Sequence, residues 1–457
     1  MELQIFKLNL FPSVNLVWLI AKFGAVAAIF FIYICLLFFW NDIIRIVAEN
    51  NIFDDIRIIE KIVYAAIAFV SMLFMFYAFT KSQAFYGSSY SFDLIYTSDS
   101  PSLVKGNVYL WLTHPENDLR QPLFAVFAAP FVGLPYLLTR HLPLAIQAML
   151  MNCVQVVLLL IANFMLAKIM NLSAMKRICF MLLSSFTYTY LLFILIMEQY
   201  IIAYFWLTFF LYLVFEKKQP ERIALWGAGG TLITSMIFLP FLSQKSPLRN
   251  FTGWIWDTFR HGFEFTAVML LFGRFDVIYT LQSRITSLLG FTGQNLTLTD
   301  KALQYIAFVK SCFFAPDAGR IDMGLRHVAF DHISWQLDSI SQIDKAGMVI
   351  LALICLSIWL NRKKKSALVA AGWVGFSLII LLFLGWGTGE NGLILYSLYF
   401  GWGFLVLLFQ LIEAIEVKLR THLLTPIVSA GCSAILLASN IPAICELLDF
   451  AVTYYPA

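Results

Sequence analysis

Charged residues are scarce in this chain: Asp, Glu, Lys and Arg make up 13% of its 457 residues, about half the share found in soluble domains. Hydrophobic residues make up 61%, and they collect in runs of about 20 residues, each long enough to cross roughly 30 Å of hydrocarbon. The runs also lack the period-two alternation that membrane-spanning strands need, which excludes a β-barrel. The sequence therefore predicts a polytopic membrane protein with α-helical spans.

Several other signatures are missing. The seven cysteines are scattered, mostly inside apolar runs, and no two have metal-ligand spacing, so we interpret them as small apolar packing residues. A Gly-rich phosphate loop is absent, so a water-soluble nucleotide is not implied. No internal repeat divides the chain, which predicts one domain over residues 1–457. Because the N-terminus lacks a short apolar core with a cleavage site, we expect an uncleaved protein.

The apolar runs predict an all-α polytopic membrane protein with roughly 10 to 12 spans. Residues 121–138 are apolar but broken by prolines, which predicts a re-entrant or interfacial helix. The basic, Trp-rich stretch 245–261 predicts an interfacial helix, and 222–242 is either one span or a broken hairpin. The other predicted spans are 20–40, 62–80, 143–167, 178–197, 200–215, 262–281, 346–360, 367–386, 395–412 and 423–438.

The distribution of Lys and Arg predicts the orientation of the spans. Basic clusters lie at 45–61, 168–177, 217–222, 245–260, 362–365 and 418–420. They alternate with Lys-poor loops, so all of them fit the cytoplasmic side. Two long polar segments, 81–142 and 282–345, then face the other side as extracytoplasmic loops that contain amphipathic helices. The turns at Glu198 and Glu390 face that side too.

Three stretches of the chain stand out: SDSPSLVKGN with RQPLF at 98–107 and 120–124, MEQYIIAYFWL at 197–207, and GWGTGENGLILYSLYFGW at 385–402. They resemble the GT-C superfamily of integral-membrane glycosyltransferases, bacterial members in particular. The resemblance implies a GT-C-like helical bundle in the inner or plasma membrane. It implies an inverting transfer, on the outer face, of a sugar from a polyprenyl-phosphate donor such as undecaprenyl phosphate. The acceptor would be a cell-envelope glycan, a lipid or a protein.

Sugar transfer to a hydroxyl needs a base, and a loop carboxylate suits that role. The resemblance makes Asp99 our candidate for the base. From spacing alone, Asp99 precedes a predicted helix start and also suits a helix N-cap. Asp93 is the reserve base, and its alternative is an ordinary loop acid. The resembling enzymes often pair two acids in this loop, whereas here the acids are six residues apart.

The leaving lipid phosphate needs cationic stabilisation. The candidates are Arg120, Lys105 and Arg326. Arg120 lies where the chain re-enters apolar sequence, so a snorkelling interfacial Arg is its alternative. Lys105 could equally be a solvated loop residue.

Polar residues near the predicted outer face are candidates for contact with the sugar or acceptor. The alternative for Glu198 is a turn residue in the wet interface. The alternative for His114 is a hydrogen-bonded loop residue. Three glycines around Trp386 would let the backbone approach a ligand closely, or form a flexible turn. The six candidates are Gln121, His114, Glu198, Gln199, Glu390 and Asn391. Gln121 stands where many resembling enzymes have His.

No cofactor is predicted to be required, and no metal ligands are assigned. If a divalent metal is bound, His327 and Asp331 have the spacing that would place them one turn apart on a helix. The predicted partners are the lipid-linked donor, the acceptor and membrane lipids, and not nucleic acid.

Two other functions compete with sugar transfer. A glycan polymerase or ligase that uses a diphosphate-linked oligosaccharide predicts more Arg on the outer face. A lipid or glycan transporter predicts charges within spans and an inverted repeat. Charges at span centres are few, with Arg274 and Asp276 as exceptions, and the polar residues concentrate in long loops on one face, which favours an enzyme.

Overall fold

The structure is a computed structural model of the chain. It describes residues 53, 55–87, 94–96, 98, 103, 120–218, 221–243, 245, 247–271, 281–283, 285–286, 289–323, 332–340, 342–388 and 393–457. The predicted span at 20–40 lies outside these residues.

The described chain is mostly helical and has two short strands. The helices are α1 Ile58–Lys81, α2 Phe124–Ala128, α3 Leu134–Thr139, α4 Leu144–Ile169, α5 Ala174–Ser185, α6 Tyr188–Phe193, α7 Gln199–Glu216, α8 Glu221–Thr231, α9 Phe251–Leu271, α10 Leu298–Ser311, α11 Lys345–Asn361, α12 Lys365–Ser377, α13 Ser397–Leu419 and α14 Leu424–Tyr454. The strands are β1 Ala318–Met323 and β2 His332–Leu337. Short 3₁₀ helices cover Gln83–Phe85, Ile233–Leu242 and Leu393–Tyr396, and π-helical turns cover Ala129–Gly133 and Leu378–Phe383.

Six helical segments among the described residues are long and apolar enough to cross a membrane. They are Ile58–Lys81, Leu144–Ile169, Gln199–Glu216, Lys365–Phe383, Leu393–Leu419 and Leu424–Tyr454. The mostly helical, polytopic character predicted from composition is therefore confirmed, while the total of roughly 10 to 12 spans stays a prediction. Helix α7 lies at the centre of the bundle, since 78% of its apolar window is buried, against 22% in α1 at the periphery.

A network of ion pairs holds one end of the bundle together. The Arg177 guanidinium donates to both carboxylate oxygens of Glu60, at 2.7 and 3.0 Å, and to Asp55 at 2.7 Å. Lys168 also pairs with Asp55. Partial burial pushes the pKa of Asp55 upward, but the hydrogen bonds and charges of Lys168 and Arg177 outweigh it and lower that pKa. The contacts place the basic cluster 168–177 at the same end as the start of α1.

The stretch 178–197, predicted as one span, is not one continuous helix. The structure divides it into α5 and α6, with a break at Phe186–Thr187. The Ser184 and Ser185 hydroxyls both donate to the Met181 carbonyl, and the Thr187 hydroxyl accepts from the Tyr190 N–H to begin α6. Side chains that bond to nearby backbone groups compete with helix continuation, so the Ser-Ser-Phe-Thr sequence ends one helix and starts another.

Two further boundaries differ from expectation. Helix α9, Phe251–Leu271, continues without a break from the predicted interfacial stretch into the first part of the predicted span at 262–281, and only His261 and Phe265 of this helix are buried. Residues 272–280 of that span lie outside the described residues. Residues 222–242 form the broken hairpin rather than one span. Leu232 is extended between α8 and the following 3₁₀ helix, and Met236 folds back against Gly229.

The second long polar segment contains both a helix and a hairpin. Helix α10 begins with a capping box in which Thr297 and Asp300 exchange hydrogen bonds, as expected for a helix in this loop. Strands β1 and β2 pair antiparallel, with Arg320 opposite Trp335. The all-α expectation misses this hairpin because its strand signal is short: His332–Leu337 reads Ile-Ser-Trp-Gln-Leu after the histidine, an apolar-polar alternation of only five residues.

Candidate functional site

The two long polar segments contact each other at one end of the bundle. The Tyr96 N–H donates to the Trp335 carbonyl at 2.9 Å, and the Trp335 N–H donates to the Leu94 carbonyl at 2.8 Å. The Tyr96 and Tyr188 hydroxyls share a hydrogen bond of 2.8 Å, so the first segment reaches helix α6. The candidate residues Asp93, Asp99, Lys105 and His114 lie outside the described residues.

Residues close to Asp99 in sequence belong to the buried part of the protein. Ser98 is 4% exposed and Leu103 is fully buried. The Ser98 N–H donates to the Ile95 carbonyl at 3.1 Å, one residue before Tyr96. The described neighbours of the candidate base are thus packed into the protein rather than spread over its surface.

The segment after the first loop is pinned to the break between α8 and its 3₁₀ helix. The Ile233 N–H donates to the Arg120 carbonyl at 2.7 Å, and the Leu123 N–H donates to the Gly230 carbonyl at 2.9 Å. Further on, the Trp206 indole N–H of α7 donates to the Phe127 carbonyl at 3.1 Å. Membrane helices that contain proline are tolerated when side chains bond to the backbone groups that the proline leaves without a helical partner. These bonds fix the backbone position of Arg120.

Glu198 is fully buried. It lies beside the middle of α4 rather than beside either end of that helix. Its N–H donates to Gln155 Oε1 at 3.3 Å, and Gln155 is eleven residues beyond the start of α4, about 17 Å along the helix. Glu198 does lie in the turn between α6 and α7, and none of its surface is exposed. Its carboxylate accepts from the Gln199 N–H at 3.1 Å and forms the N-cap of α7.

A row of buried amides on α4 faces this turn. Asn152 donates to the Ile194 carbonyl at 2.8 Å, and Gln147 and Gln155 lie a turn or two away on the same helix. Gln147 Nε2, Asn152 Oδ1 and Gln155 Nε2 have no hydrogen-bond partner within the part of the chain that the structure describes. Buried polar atoms of this kind cost free energy unless a ligand or water satisfies them.

Aromatic side chains connect Glu198 to the Gly-rich stretch. The rings of Tyr200 and Tyr396 are in edge-to-face contact, with their centroids 5.2 Å apart. The Trp386 indole N–H donates to the Tyr396 hydroxyl at 2.6 Å. Tyr200 lies two residues after Glu198 in the chain, so its ring contact connects the Glu198 turn to Tyr396.

Phe291, in the second long segment, contacts both Arg120 and Trp386. Its ring lies under the Arg120 guanidinium, at 4.9 Å from ring centroid to Cζ, a cation-π contact. It also lies 5.9 Å from the Trp386 ring, and its carbonyl accepts from the Gly387 N–H at 3.0 Å.

The Gly-rich stretch turns tightly beside a lysine that the sequence reasoning missed. Gly385 and Gly387 have φ of +70° and +77°, a region that other residues rarely adopt. A Cβ atom on Gly385 would lie 2.6 Å from Lys301 Nζ. Lys301 therefore brings a second positive charge to the neighbourhood of Trp386, across about 80 residues of sequence that offered no signal for the contact.

The structure thus brings some of the predicted residues together and leaves others untested. Arg120, Glu198, Gln199 and the 385–388 stretch converge through Tyr200, Tyr396 and Phe291. Gln121, adjacent to Arg120, is 8% exposed. Arg326, Glu390 and Asn391 lie outside the described residues, as do His327 and Asp331. The amides of α4 could have been suspected from sequence, because polar residues inside an apolar span are often functional.

No protein-family model, curated protein or solved structure matches this chain. Among the described residues, no three His, Cys, Asp or Glu side chains are grouped closely enough to hold a metal ion. The chemical character of the site comes from its own side chains: a buried carboxylate, amide groups, two cations, and aromatic rings in edge-to-face and tilted contacts. Such a set can bind hydroxyl groups and one anionic group at the same time.

Proposed function

We propose that the protein is an inverting membrane glycosyltransferase that moves a sugar from a polyprenyl-phosphate donor to a cell-envelope acceptor. The site lies on the extracytoplasmic side in this proposal, where the two long segments meet. Asp99 is the general base, with Asp93 in reserve.

The observation that carries the proposal is the convergence of Arg120, Glu198 and Trp386 in a bundle of apolar helices. These residues come from three distant parts of the chain. A fully buried carboxylate inside such a bundle is costly unless it serves a polar ligand or a partner. A cation and aromatic rings beside it supply what a sugar attached to a phosphate would require.

Each group has a role in the proposed reaction. The acceptor hydroxyl attacks the anomeric carbon and gives its proton to the Asp99 carboxylate. The bond from that carbon to the phosphate oxygen breaks, and the lipid phosphate leaves with the electron pair. Arg120 and Lys301 stabilise the charge on the phosphate; Lys105 and Arg326 stay as further candidates.

Sugar hydroxyls are bound by the acid and amide groups. Glu198 accepts from them, and Gln199 and the α4 amides Gln147 and Gln155 supply further donors and acceptors. Gln121, His114, Glu390 and Asn391 remain candidates for the same role or for acceptor binding. The aromatic rings of Trp386 and Tyr396 provide flat apolar surface against which a sugar ring can pack.

The proposal is tested by sugar transfer in membranes with a panel of donors, comparing wild type with Asp99→Asn. We expect transfer from a polyprenyl-monophosphate sugar and a drop of about 10²- to 10⁴-fold in Asp99→Asn, because that range is what a general base contributes. Asp449→Asn is the matched control, since Asp449 is an exposed aspartate of α14.

The donor panel also separates the competing functions. A protein that uses only diphosphate-linked oligosaccharides is a polymerase or ligase, and one that moves intact lipid across the membrane without transfer is a transporter. Either result contradicts the proposal. Normal transfer by folded Asp99→Asn would remove Asp99 as the base and turn attention to Asp93.

A further inference from the structure

A cavity lies beside the proposed site, in the part of the second long segment that the proposed topology places outside the membrane. Its volume is about 520 Å³, within the range of small-molecule sites. Helix α10 forms one side, and the chain that enters β1 and leaves β2 forms the other. The Asp338 N–H donates to the Asp317 carbonyl at 3.0 Å, which ties the two ends of the hairpin together at the cavity.

The lining of this cavity is rich in groups that bind hydroxyls. Lys310 Nζ lies 3.1 Å from Asp344 and 3.6 Å from Asp317. Asp338 and Ser339 add further acceptors and a donor. Together with Lys345, the lining carries two lysines and three aspartates, a formal charge of −1.

A buried polar atom faces no protein partner in this lining. Gln304 of α10 lines the cavity, and its buried Oε1 has no hydrogen-bond partner among the residues that the structure describes. An unsatisfied buried acceptor is costly, so a rotation that turns the Gln304 amide into the cavity would let a ligand hydroxyl satisfy it.

The cavity and the proposed site share one wall. Leu393 and Ile394 line it, and Leu393 also packs beside Gly387, where an added Cβ would lie 3.4 Å from its Cδ2. Gly387 follows Trp386 of the candidate site. A ligand in the cavity therefore lies next to the wall that separates it from the proposed reaction centre.

We infer that this cavity binds the non-reacting part of the acceptor, a neutral oligosaccharide whose reacting end extends beyond the cavity towards Trp386. The inference rests on the proposed function for the direction of transfer. Many hydroxyls match a lining of carboxylates, amide and ammonium groups, each of which can accept or donate. A polyanionic glycan fits poorly, because the three aspartates outnumber the lysines.

The test is direct binding of oligosaccharides to the purified full-length protein, without donor or transfer. The probes are neutral oligosaccharides of N-acetylglucosamine, mannose, galactose and arabinose, and one uronate-rich oligosaccharide as the anionic comparison. Gln304→Leu and Asp338→Asn alter the cavity, and Gln282→Leu, an exposed position outside the cavity, is the matched control. Calorimetry or saturation-transfer NMR measures the affinity.

We expect at least one neutral probe to bind, with affinity at least tenfold weaker in each cavity variant and unchanged in Gln282→Leu. Binding of polyprenyl phosphate should be the same in all four proteins. Absence of binding by every neutral probe, binding of the anionic probe alone, or equal affinity in wild type and cavity variants would overturn the inference. Glycan binding through the cavity in a protein that transfers no sugar would instead contradict the proposed function alone.

Discussion

At the scale of single residues, Glu198 carries the strongest chemical signal. Its carboxylate has no exposed surface, and its backbone lies beside the middle of α4. Its contact with the Gln199 N–H satisfies one helix end, but an N-cap alone can be filled by Ser, Thr or Asn without a buried charge. In the proposed function, the same carboxylate also binds sugar hydroxyls.

We predict that Glu198→Gln lowers the transfer rate without unfolding the protein. The amide keeps the size of the side chain and an oxygen for the Gln199 N–H, but it loses the charge. A hydrogen bond to a charged group contributes about 1.5–3 kcal/mol, so kcat/KM should fall about tenfold or more. The assay is transfer per folded protein, with the unfolding temperature measured in parallel.

The alternative is a purely structural role for the carboxylate. In that case the unfolding temperature would fall and transfer by the remaining folded protein would match wild type. That pair of results would contradict the assignment of Glu198 to sugar binding.

At the scale of elements, the site depends on how closely α7 and α8 approach each other. A Cβ atom on Gly227 would lie 2.5 Å from Cδ2 of Trp206, which is too close for any side chain. Trp206 in turn holds the Phe127 carbonyl, and the backbone at Gly230 and Ile233 holds Leu123 and Arg120. The helix pair therefore sets the position of the segment that carries the candidate phosphate ligand.

We predict that Gly227→Ala destabilises the protein by about 1–3 kcal/mol, the usual cost of overpacking a filled core. Gly372→Ala is the control, because Gly372 is also helical and has nothing within 4 Å of an added Cβ. The measurement is thermal unfolding of both variants in detergent. Equal shifts in the two variants would show that the contact with Trp206 does not matter.

Local sequence signals predicted some elements well and others poorly. Prolines in 121–138 indicated an irregular helix, and the glycines of 222–242 allowed a broken hairpin; both are observed. The break in 178–197 depends on hydroxyl groups that bond to the backbone within one turn, which an apolar average conceals. The hairpin at 318–337 was missed because pairing between distant strands is a tertiary property.

At the scale of the whole molecule, ion pairs connect elements that are far apart in sequence. Arg177 on α5 contacts Asp55 and Glu60 at the start of α1, and Lys176 contacts Glu413 and Glu416 on α13. Breaking a buried pair leaves an uncompensated charge, which is costly. This end of the bundle should therefore respond to pH.

We predict that stability falls in acid as Asp55 is protonated. Burial raises its pKa, and the stronger effect of Lys168 and Arg177 lowers it below 3.8. A group whose folded pKa is depressed contributes stability that is complete above the unfolded pKa and disappears as pH falls through the folded pKa. Unfolding temperature should thus decrease below pH 3.8, and Asp55→Asn should have a smaller decrease. Parallel curves for the two proteins would contradict this role of Asp55.

The membrane character and helical architecture could be predicted from composition and apolar runs, because both are averages over many residues. The convergence of Arg120 with Glu198 and Trp386 could be suspected only from the predicted sidedness of loops. The depth of Glu198 and the approach of Lys301 to Gly385 depend on packing between helices, for which one sequence offers no pattern.

The central claim is that a lipid-linked donor binds where Arg120, Lys301 and Trp386 meet. The most direct measurement is photo-crosslinking of a diazirine-bearing polyprenyl phosphate to the full-length protein, followed by mass-spectrometric mapping of the labelled peptides. We expect label on peptides that contain these three residues, and loss of that label with excess unlabelled polyprenyl phosphate. Label confined to the outer faces of peripheral helices such as α1 and α14, and unaffected by competition, would contradict it.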